Sequence, residues 1–332
     1  DLVRQAHIEK DAQKFYEPNA EHWIDIRNGE ISHVEKVDRI LSTQNYLDTM
    51  EFQQLDSLGS PIIEISNDAT LATYSSRVLV KGMLGDQPVI WIVAWQNVLR
   101  KIEGNWKIVQ SVNTEATPEV SAHVLLNEIR SNLGDVKSVT SISSLADCVG
   151  PEGNTFTTLI YSRKSDGRME QLSGERHTIF KHGEQSWGKN LVSGTLYEDL
   201  NTNLQAFAKS HELHWLSMHP EDRFTNGHLE GIVTFEGQKA IKIGFTDDAD
   251  NPVDFYYDFE NYLPLAFDIV IDDQGNKVTT YFENWNEQDG IKLFKNATFD
   301  QGGQLFKYTF SELKLNTLKD EDFALREARI SL

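Results

Sequence analysis

The sequence is poor in the residues and motifs that several kinds of site require. It has one cysteine, Cys148, in 332 residues, which excludes an intrachain disulfide and any zinc site built from several cysteines. No apolar run approaches the roughly 18 residues that a membrane-spanning helix needs. The motifs G-x-S-x-G, G-x-x-x-x-G-K-[ST] and G-x-G-x-x-G do not occur. Serine hydrolases, P-loop nucleotidases and dinucleotide enzymes therefore have no support.

Positive charge is also scarce. The chain has 31 Lys and Arg against 51 Asp and Glu, which gives a formal net charge of −20. Its basic residues form no dense run, whereas a protein that binds nucleic acid or an anionic membrane needs a basic face. We therefore expect no nucleic-acid partner and no membrane insertion. Hydrophobic residues make up 39% of the chain, enough for packed cores, and the length suggests two domains.

Residues 1–117 have the pattern of helices followed by long strands. Helical spacing of apolar residues is found over 2–16 and over 32–41, where Ser32 and Glu35 are spaced as in a capping box. Alternating runs typical of strands follow at 61–66, 69–82, 87–102 and 106–112. This order predicts an α+β domain in which a curved antiparallel sheet wraps around helices.

A polar stretch that ends in Pro118 separates this domain from residues 118–332. A helix is predicted over 120–133 and a second over 196–214. The remaining signal has period two and predicts about eleven strands, at 139–149, 155–162, 169–173, 176–181, 228–235, 238–246, 253–259, 264–272, 277–283, 291–300 and 304–313. Turn pairs separate several of them, including Glu236-Gly237, Gln274-Gly275, Asp289-Gly290 and Gly302-Gly303. So many antiparallel strands must curl, which predicts a half-open barrel with helices covering its mouth.

Short motifs in residues 7–113 match one known superfamily. They are the amphipathic first helix, Asn28-Gly29 after an apolar strand, Ser-Pro-Ile-Ile-Glu-Ile at 60–65 and Lys-Ile-Glu-Gly-Asn-Trp-Lys-Ile-Val at 101–109. With these features the segment resembles the SnoaL-like branch of the nuclear-transport-factor-2-like superfamily. The resemblance implies a cone-shaped domain with a cystatin-like fold.

Three motifs in residues 120–332 point to a second family. They are Tyr-Tyr-Asp-Phe-Glu-Asn-Tyr-Leu-Pro at 256–264, Tyr-Phe-Glu-Asn-Trp-Asn-Glu-Gln-Asp-Gly-Ile-Lys-Leu at 281–293 and Leu-Lys-Leu-Asn-Thr-Leu-Lys-Asp-Glu-Asp-Phe at 313–323. This segment resembles the LolA/LolB-like outer-membrane lipoprotein carriers. The resemblance implies a cavity for acyl chains or another apolar ligand, and a bacterial protein that is periplasmic or secreted. The chain begins at Asp1 and not at Met, so we expect a processed start from which a signal peptide was removed.

A candidate catalytic pair lies in the first domain. The SnoaL-like resemblance includes isomerases and hydrolases that use a buried carboxylate in the cone as general base. The comparable stretch here is His-Trp-Ile-Asp-Ile-Arg-Asn-Gly at 22–29. Arg27 cannot abstract a proton at neutral pH, but His22 and Asp25 can act as base and orienting group. The alternative is a strand with a polar outer face.

Aromatic residues of the first domain form a candidate pocket. The strand over 89–99 is apolar on both faces, with Trp91 and Trp95 on one of them. Together with Trp23 and Tyr74 they can line a pocket for a flat ligand or form ordinary core. Because paired exposed indoles are unusual on a monomer, the second face predicts contact with the other domain or with a second copy, as in a homodimer through the N-terminal sheet.

The second domain carries aromatic residues at alternating strand positions. A half-barrel of this composition either fills its interior or keeps a ligand cavity, and the sequence leaves both open. The candidate lining residues are Leu204 and Phe207 on the helix predicted as a lid, and Phe255, Tyr257, Phe282 and Phe306 on strands.

Two other groups are candidates for reactive sites. His211 and His214 share a helix face, with His219 close behind, and can be read as a metal site or, preferably, as a solvated helix end. Cys148 can be read as a nucleophile or, preferably, as a small core residue, because the neighbouring Asp147 disfavours the thiolate. We therefore expect no metal and no cofactor.

These observations together favour a non-catalytic envelope protein. Its expected role is to bind or carry an apolar small molecule or lipid in the C-terminal half-barrel. The alternative is an isomerase or hydrolase that acts on a small molecule in the N-terminal cone, through His22 and Asp25.

Overall fold

The computed structural model describes most of the chain, namely residues 2–27, 29–270 and 275–330. The predicted turns Asn28-Gly29 and Gln274-Gly275, and the end of the strand predicted over 264–272, include residues outside that description. The chain divides into two units, Asp1–Ser121 and Ala122–Leu332. Both units combine helices with a mainly antiparallel sheet, so the predicted α+β class is confirmed.

The described residues of unit 1 form three helices and one sheet. The helices are α1 (Leu2–Glu9), α2 (Ala12–Phe15) and α3 (Lys36–Thr49). The strands are β1 (Asn19–Arg27), β2 (Glu30–Glu35), β3 (Met50–Ser57), β4 (Ile62–Ile65), β5 (Leu71–Leu84), β6 (Gln87–Ile102) and β7 (Asn105–Glu115). Their order is β2-β1-β7-β6-β5-β3, and β4 also pairs with β5. Neighbours are antiparallel except β1 and β7, which are parallel.

Two predicted helices of unit 1 are divided in the structure. The helix predicted over 2–16 ends at α1, because Lys10 adopts a φ of 55° and Asp11 then caps α2 by accepting the amide N–H of Lys14 at 2.9 Å. The segment predicted as a helix over 32–41 begins as β2, and α3 starts only at Lys36. Pairing of β2 with β1 sets Val34 opposite Trp23, and this tertiary contact outweighs the local helical spacing.

Unit 2 contains a longer sheet and three helices after α4 (Pro118–Leu133), which crosses the division between the units. The helices are α5 (Thr202–Ser210), α6 (Leu213–Met218) and α7 (Asp320–Ala324). The strands are β8 (Ser141–Val149), β9 (Thr155–Arg163), β10 (Gly167–Ser173), β11 (Arg176–His182), β12 (Trp187–Asn190), β13 (Leu196–Glu198), β14 (Thr225–Phe235), β15 (Gln238–Thr246), β16 (Pro252–Asp258), β17 (Pro264–Val270), β18 (Lys277–Gln288), β19 (Ile291–Gln301) and β20 (Gln304–Leu315).

The sheet of unit 2 is built from two meanders. One runs from β8 to β13 and the other from β14 to β20, and they join where β20 pairs with β8. Across the described residues the two outer strands, β13 and β14, are not paired with each other, so the sheet remains open. The predicted half-barrel is thereby confirmed.

The predicted turn pairs determine several hairpins of this sheet. Glu236-Gly237 has φ values of 48° and 80°, and Asp289-Gly290 has values of 53° and 77°. Two successive positive φ values are the type I′ geometry, whose twist matches that of antiparallel strands. The glycine supplies one of these conformations at little cost.

The helix predicted over 196–214 is instead a short strand and two helices. Asn201 begins α5 by accepting the amide N–H of Leu204 at 2.9 Å, which is a normal helix cap. All six residues of α6 are buried, and its His214 stacks on Phe294 with ring centroids 4.1 Å apart. The half-barrel therefore has α6 inside it as a plug.

The C-terminal segment covers the opposite face of the sheet. Phe323 packs against Leu159 and Tyr161, whose side chains point away from the interior because they alternate with Phe156, which lines a cavity there. Glu170, fully buried, accepts the amide N–H groups of Arg329 and Ile330 at 3.0 and 2.9 Å. Arg168 balances its charge at 3.0 Å.

One buried carboxylate connects α5 and α6 to the sheet. Glu212, between the two helices, accepts two hydrogen bonds from Arg223, both 2.8 Å long, and also contacts His182 of β11. Arg223 donates further to the backbone carbonyl of Lys164 at 2.8 Å. Gly167 lies directly against this group, and a Cβ there would collide with both His182 and Glu212.

We expect Glu212→Gln to destabilise unit 2 by about 3–5 kcal/mol, because it leaves the buried Arg223 without its counter-charge. Hydrogen exchange of α6, read by mass spectrometry, measures this loss within unit 2. The control is Glu321→Gln, which removes an exposed partner of Lys319 and is expected to behave as wild type. Equal protection in the two variants would contradict a central role for Glu212.

The same carboxylate predicts a pH dependence. Burial alone would raise the pKa of Glu212, but Arg223 and His182 outweigh burial and lower the pKa to about 2. The unfolded chain has the ordinary value of 4.5, so the stabilisation is complete above that pH and is lost as the pH falls towards 2. A shift of this size corresponds to about 3 kcal/mol. The free energy of unfolding of wild type, measured during an acid titration, should fall over this pH range. The free energy of Glu212→Gln should not show this fall.

Candidate functional site

Unit 2 contains a cavity of about 560 Å³ between α5 and the concave side of the sheet. This volume is within the range of sites for small molecules. Helix α5 forms one wall, since its lining residues recur with a spacing that places them on one face: Thr202, Asn203, Ala206, Phe207 and Ser210. Phe207 is 40% exposed, so its ring lies at the boundary between the cavity and solvent.

The floor of the cavity is aromatic. Phe299 of β19 and Phe306 of β20 stand directly opposite each other in a hairpin. Tyr308 contacts both Phe299, at 4.8 Å between ring centroids, and Phe156, at 5.7 Å. Phe267 and Ile269 of β17 extend the apolar surface. These rings offer a continuous non-polar surface to a ligand.

The rim of the cavity is polar. Arg176 is the one cationic lysine or arginine among the lining residues that the structure describes, and Asp247 is the one carboxylate there. Asp247 is engaged by its own loop, since it accepts the amide N–H groups of Ala249 at 2.8 Å and Asn251 at 2.9 Å. Among the described lining residues, Arg176 is therefore the charged side chain whose hydrogen-bond donors remain available to a ligand.

Two contacts hold helix α5 at its C-terminal end. Its C-terminal end leads into the Glu212 group, and Lys209 forms an ion pair with Asp248 in the loop between β15 and β16. The first contact is buried, whereas the Asp248 side chain is half exposed. An exposed ion pair contributes little stability, so the Lys209 contact is the weaker of the two.

The histidines predicted as a solvated helix end are buried, which corrects that interpretation. His211 lines the cavity and is 6% exposed, and His214 is more buried still. Burial lowers the pKa of each imidazole to about 4. His214 contacts the Ser144 hydroxyl and the Phe294 carbonyl, both at 3.0 Å. Among the described residues no three His, Cys, Asp or Glu side chains form a group suited to a metal ion.

The structure brings together part of the predicted lining set. Phe207 and Phe306 line the cavity. Phe255 and Tyr257 are fully buried in the neighbouring part of the interior, and Phe282 packs there on Phe294 at 4.8 Å. Leu204 is half-buried on α5 and is not among the lining residues.

Sequence reasoning missed other lining residues. For one of them, Phe299, the sequence contains a signal. Phe299 faces the cavity from the position opposite Phe306. The turn Gly302-Gly303 sets this register. Gln301 pairs with Gln304 across the turn, and two residues further from the turn on each strand Phe299 pairs with Phe306. Counting from that turn identifies Phe299, whereas nothing local identifies Phe156 or His211.

Unit 1 does not bring His22 and Asp25 together. The His22 side chain is 72% exposed and pairs with Glu35 at 2.8 Å, while Asp25 is buried and pairs with Arg39 at 2.7 Å. Residues three apart in a strand point to opposite faces, which explains the separation. Each side chain therefore has a partner of its own.

The four aromatic residues predicted to form a pocket in unit 1 lie in separate parts of that unit. Trp23 stacks on Tyr16 with centroids 5.4 Å apart. Trp91 and Trp95 pack against another cluster, formed by Met50, Leu55, Val78 and Val80. Tyr74 is half-buried opposite Ile63 of β4.

We expect a double-mutant cycle to show this arrangement. His22→Ala and Asp25→Ala should add within about 0.5 kcal/mol, whereas Asp25→Ala and Arg39→Ala, which share an ion pair, should couple by roughly 0.5–3 kcal/mol. The measurement is the free energy of unfolding of unit 1. A coupling energy between His22 and Asp25 as large as that between Asp25 and Arg39 would contradict the separation of His22 from Asp25.

Cys148 of β8 is buried. Burial raises the pKa of its thiol to about 12, so the thiol is protonated at neutral pH and is a poor nucleophile. Among the described residues, none of the helices has the length and apolar character needed to cross a membrane.

Comparisons with solved structures find both families named above. A protein described as an outer-membrane lipoprotein-sorting protein domain from Vibrio parahaemolyticus is 12% identical over 61% of this chain and 97% of its own, with a TM-score of 0.43. A LolA superfamily protein from Nitrosomonas europaea is 13% identical over 63% and 97%, with a TM-score of 0.45. An NTF2-like protein from Cytophaga hutchinsonii is 18% identical over 35% and 90%, with a TM-score of 0.29.

No family model matches the chain, and no curated protein matches it. The resemblances predicted from the sequence are therefore confirmed among solved structures alone. The case for a ligand rests on the cavity itself.

Proposed function

We propose that this protein binds or carries an apolar small molecule or lipid in the cavity behind α5, without catalysing a reaction. The observation that carries the proposal is the 560 Å³ cavity with its floor of Phe299, Phe306 and Tyr308. A well-packed interior has few voids larger than a water molecule. A cavity of this size, lined by aromatic rings, is suited to an alkyl chain or a ring system.

The titratable groups around the cavity favour binding over chemistry. Burial raises the pKa of Tyr308 well above its ordinary value and lowers that of His211, so both are neutral at neutral pH. His211 bonds to the backbone carbonyl of Phe207 at 2.8 Å and not to a carboxylate that would make it a stronger base. The interior thus favours an uncharged ligand body.

Ligand entry is assigned to α5. Its cavity face includes the half-exposed Phe207, and its ion pair between Lys209 and Asp248 is exposed on the Asp248 side. This pair and the Glu212 group both hold the C-terminal end of α5, so opening moves the N-terminal part of the helix. The helix is therefore proposed to act as a lid hinged near Glu212.

We expect the protein, purified from its own host, to carry a copurifying apolar molecule. Phe207→Asp should remove most of it, because a carboxylate then lies at the cavity wall. Native mass spectrometry, followed by organic extraction and lipid analysis, measures the bound fraction. The matched control is Leu305→Asp, since Leu305 is also 40% exposed but does not line the cavity.

The two variants separate a cavity effect from a general effect of a surface charge. The proposal requires ligand in wild type and in Leu305→Asp, with loss in Phe207→Asp. Equal occupancy in all three, or a protein that neither copurifies with nor takes up apolar molecules, would contradict it.

We further propose a location in the bacterial envelope, periplasmic or secreted. The LolA/LolB-like motifs support this location. Fractionation of the host tests it, and a cytoplasmic protein would overturn it.

We also propose a homodimer through the N-terminal sheet. The apolar character of both faces of β6 supports it. The native mass tests the dimer, and a monomer would overturn it.

A further inference from the structure

His211 is a polar group in an otherwise aromatic part of the cavity wall. It follows the last residue of α5 and is 6% exposed. Its ring lies 4.5 Å from that of Phe207, 5.1 Å from Phe299 and 6.1 Å from Tyr308, measured between centroids. All three of these rings line the cavity, so the imidazole is in the region where a ligand would lie.

The hydrogen bonds of His211 determine its tautomer. Nδ1 lies 2.8 Å from the carbonyl oxygen of Phe207, and a carbonyl can only accept, so Nδ1 carries the proton and donates. The Ser210 hydroxyl donates to the same carbonyl at 2.8 Å. With Nδ1 protonated, Nε2 of the neutral ring has a lone pair and can only accept.

Nε2 has no hydrogen-bond donor among the described residues. The Tyr308 hydroxyl on the floor of the cavity bonds to Thr158. Because burial lowers the pKa of His211 to about 4, the ring stays neutral and Nε2 remains an acceptor at neutral pH. A ligand that displaces water from this acceptor loses affinity unless it supplies a hydrogen-bond donor of its own.

We propose that the ligand carries a hydroxyl or amide N–H group that donates a hydrogen bond to Nε2 of His211. This inference rests on the proposed function, because it assigns a ligand class to the same cavity. The class is a neutral amphiphile, such as a fatty alcohol, an acylglycerol or an acyl amide. A plain hydrocarbon leaves Nε2 unpaired, and an ionised carboxylate has no proton to donate.

The test uses three probes of one chain length on the full-length protein after removal of bound lipid. The probes are 1-dodecanol, dodecane and dodecanoate, compared at neutral pH by displacement of a fluorescent dye. Wild type should bind dodecanol roughly three- to tenfold more tightly than dodecane, as expected for one net hydrogen bond.

Two variants assign this preference to His211. His211→Leu should lose this preference and bind dodecanol and dodecane with similar affinity, because leucine offers apolar contacts without an acceptor. His211→Gln should keep part of the preference for dodecanol over dodecane, since the glutamine amide oxygen accepts a hydrogen bond. If His211→Leu does not fold, the ratio of dodecanol to dodecane affinities in His211→Gln still differs from wild type if His211 is the acceptor.

The outcomes distinguish this inference from the function on which it rests. Equal binding of dodecanol and dodecane by wild type, or a preference that survives in both variants, overturns the role of His211 and leaves apolar binding intact. Tightest binding of dodecanoate, with that advantage lost in Arg176→Gln, also overturns it and assigns recognition to the rim. Failure to bind any probe overturns the proposed function itself.

Discussion

The structure of the second unit depends on the buried carboxylate of Glu212. It lies between α5 and α6, and its bonds to Arg223 and His182 fix the end of one helix and the start of the other against the sheet. A buried charge is tolerated only when paired in good geometry, and the bidentate Arg223 contact supplies it. Helices α5 and α6 are therefore positioned by one electrostatic group, and Gly167 leaves room for it.

From that group, the two helices divide the half-barrel into a filled part and an open part. Helix α6 is wholly buried, with His214 stacked on Phe294, and the interior around Phe255 and Tyr257 is packed core. Helix α5 covers the other part and leaves the cavity. His211 lies between these two parts, with its ring against Phe207 and Phe299.

Sequence reasoning identified the kind of side chain that lines the cavity but only some of the residues. Alternation places Phe207, Phe306, Phe255 and Tyr257 on faces rich in apolar residues, yet the first two line the cavity and the others are in core. The difference depends on where α6 lies, and no local pattern contains that information. The catalytic pair in unit 1 shows a similar limit, since closeness in sequence did not mean contact across a strand.

The sequence by itself determined the α+β class, most strand positions and the hairpin turns. Period-two alternation and pairs such as Asp289-Gly290 act over a few residues, where backbone preference is decisive. Tertiary structure decided that 30–35 is a strand, that 196–214 is not one helix and that His211 and His214 are buried. Those outcomes depend on contacts between residues far apart in the chain, such as the pairing of Trp23 with Val34 and of Glu212 with His182, whose energies outweigh local propensity.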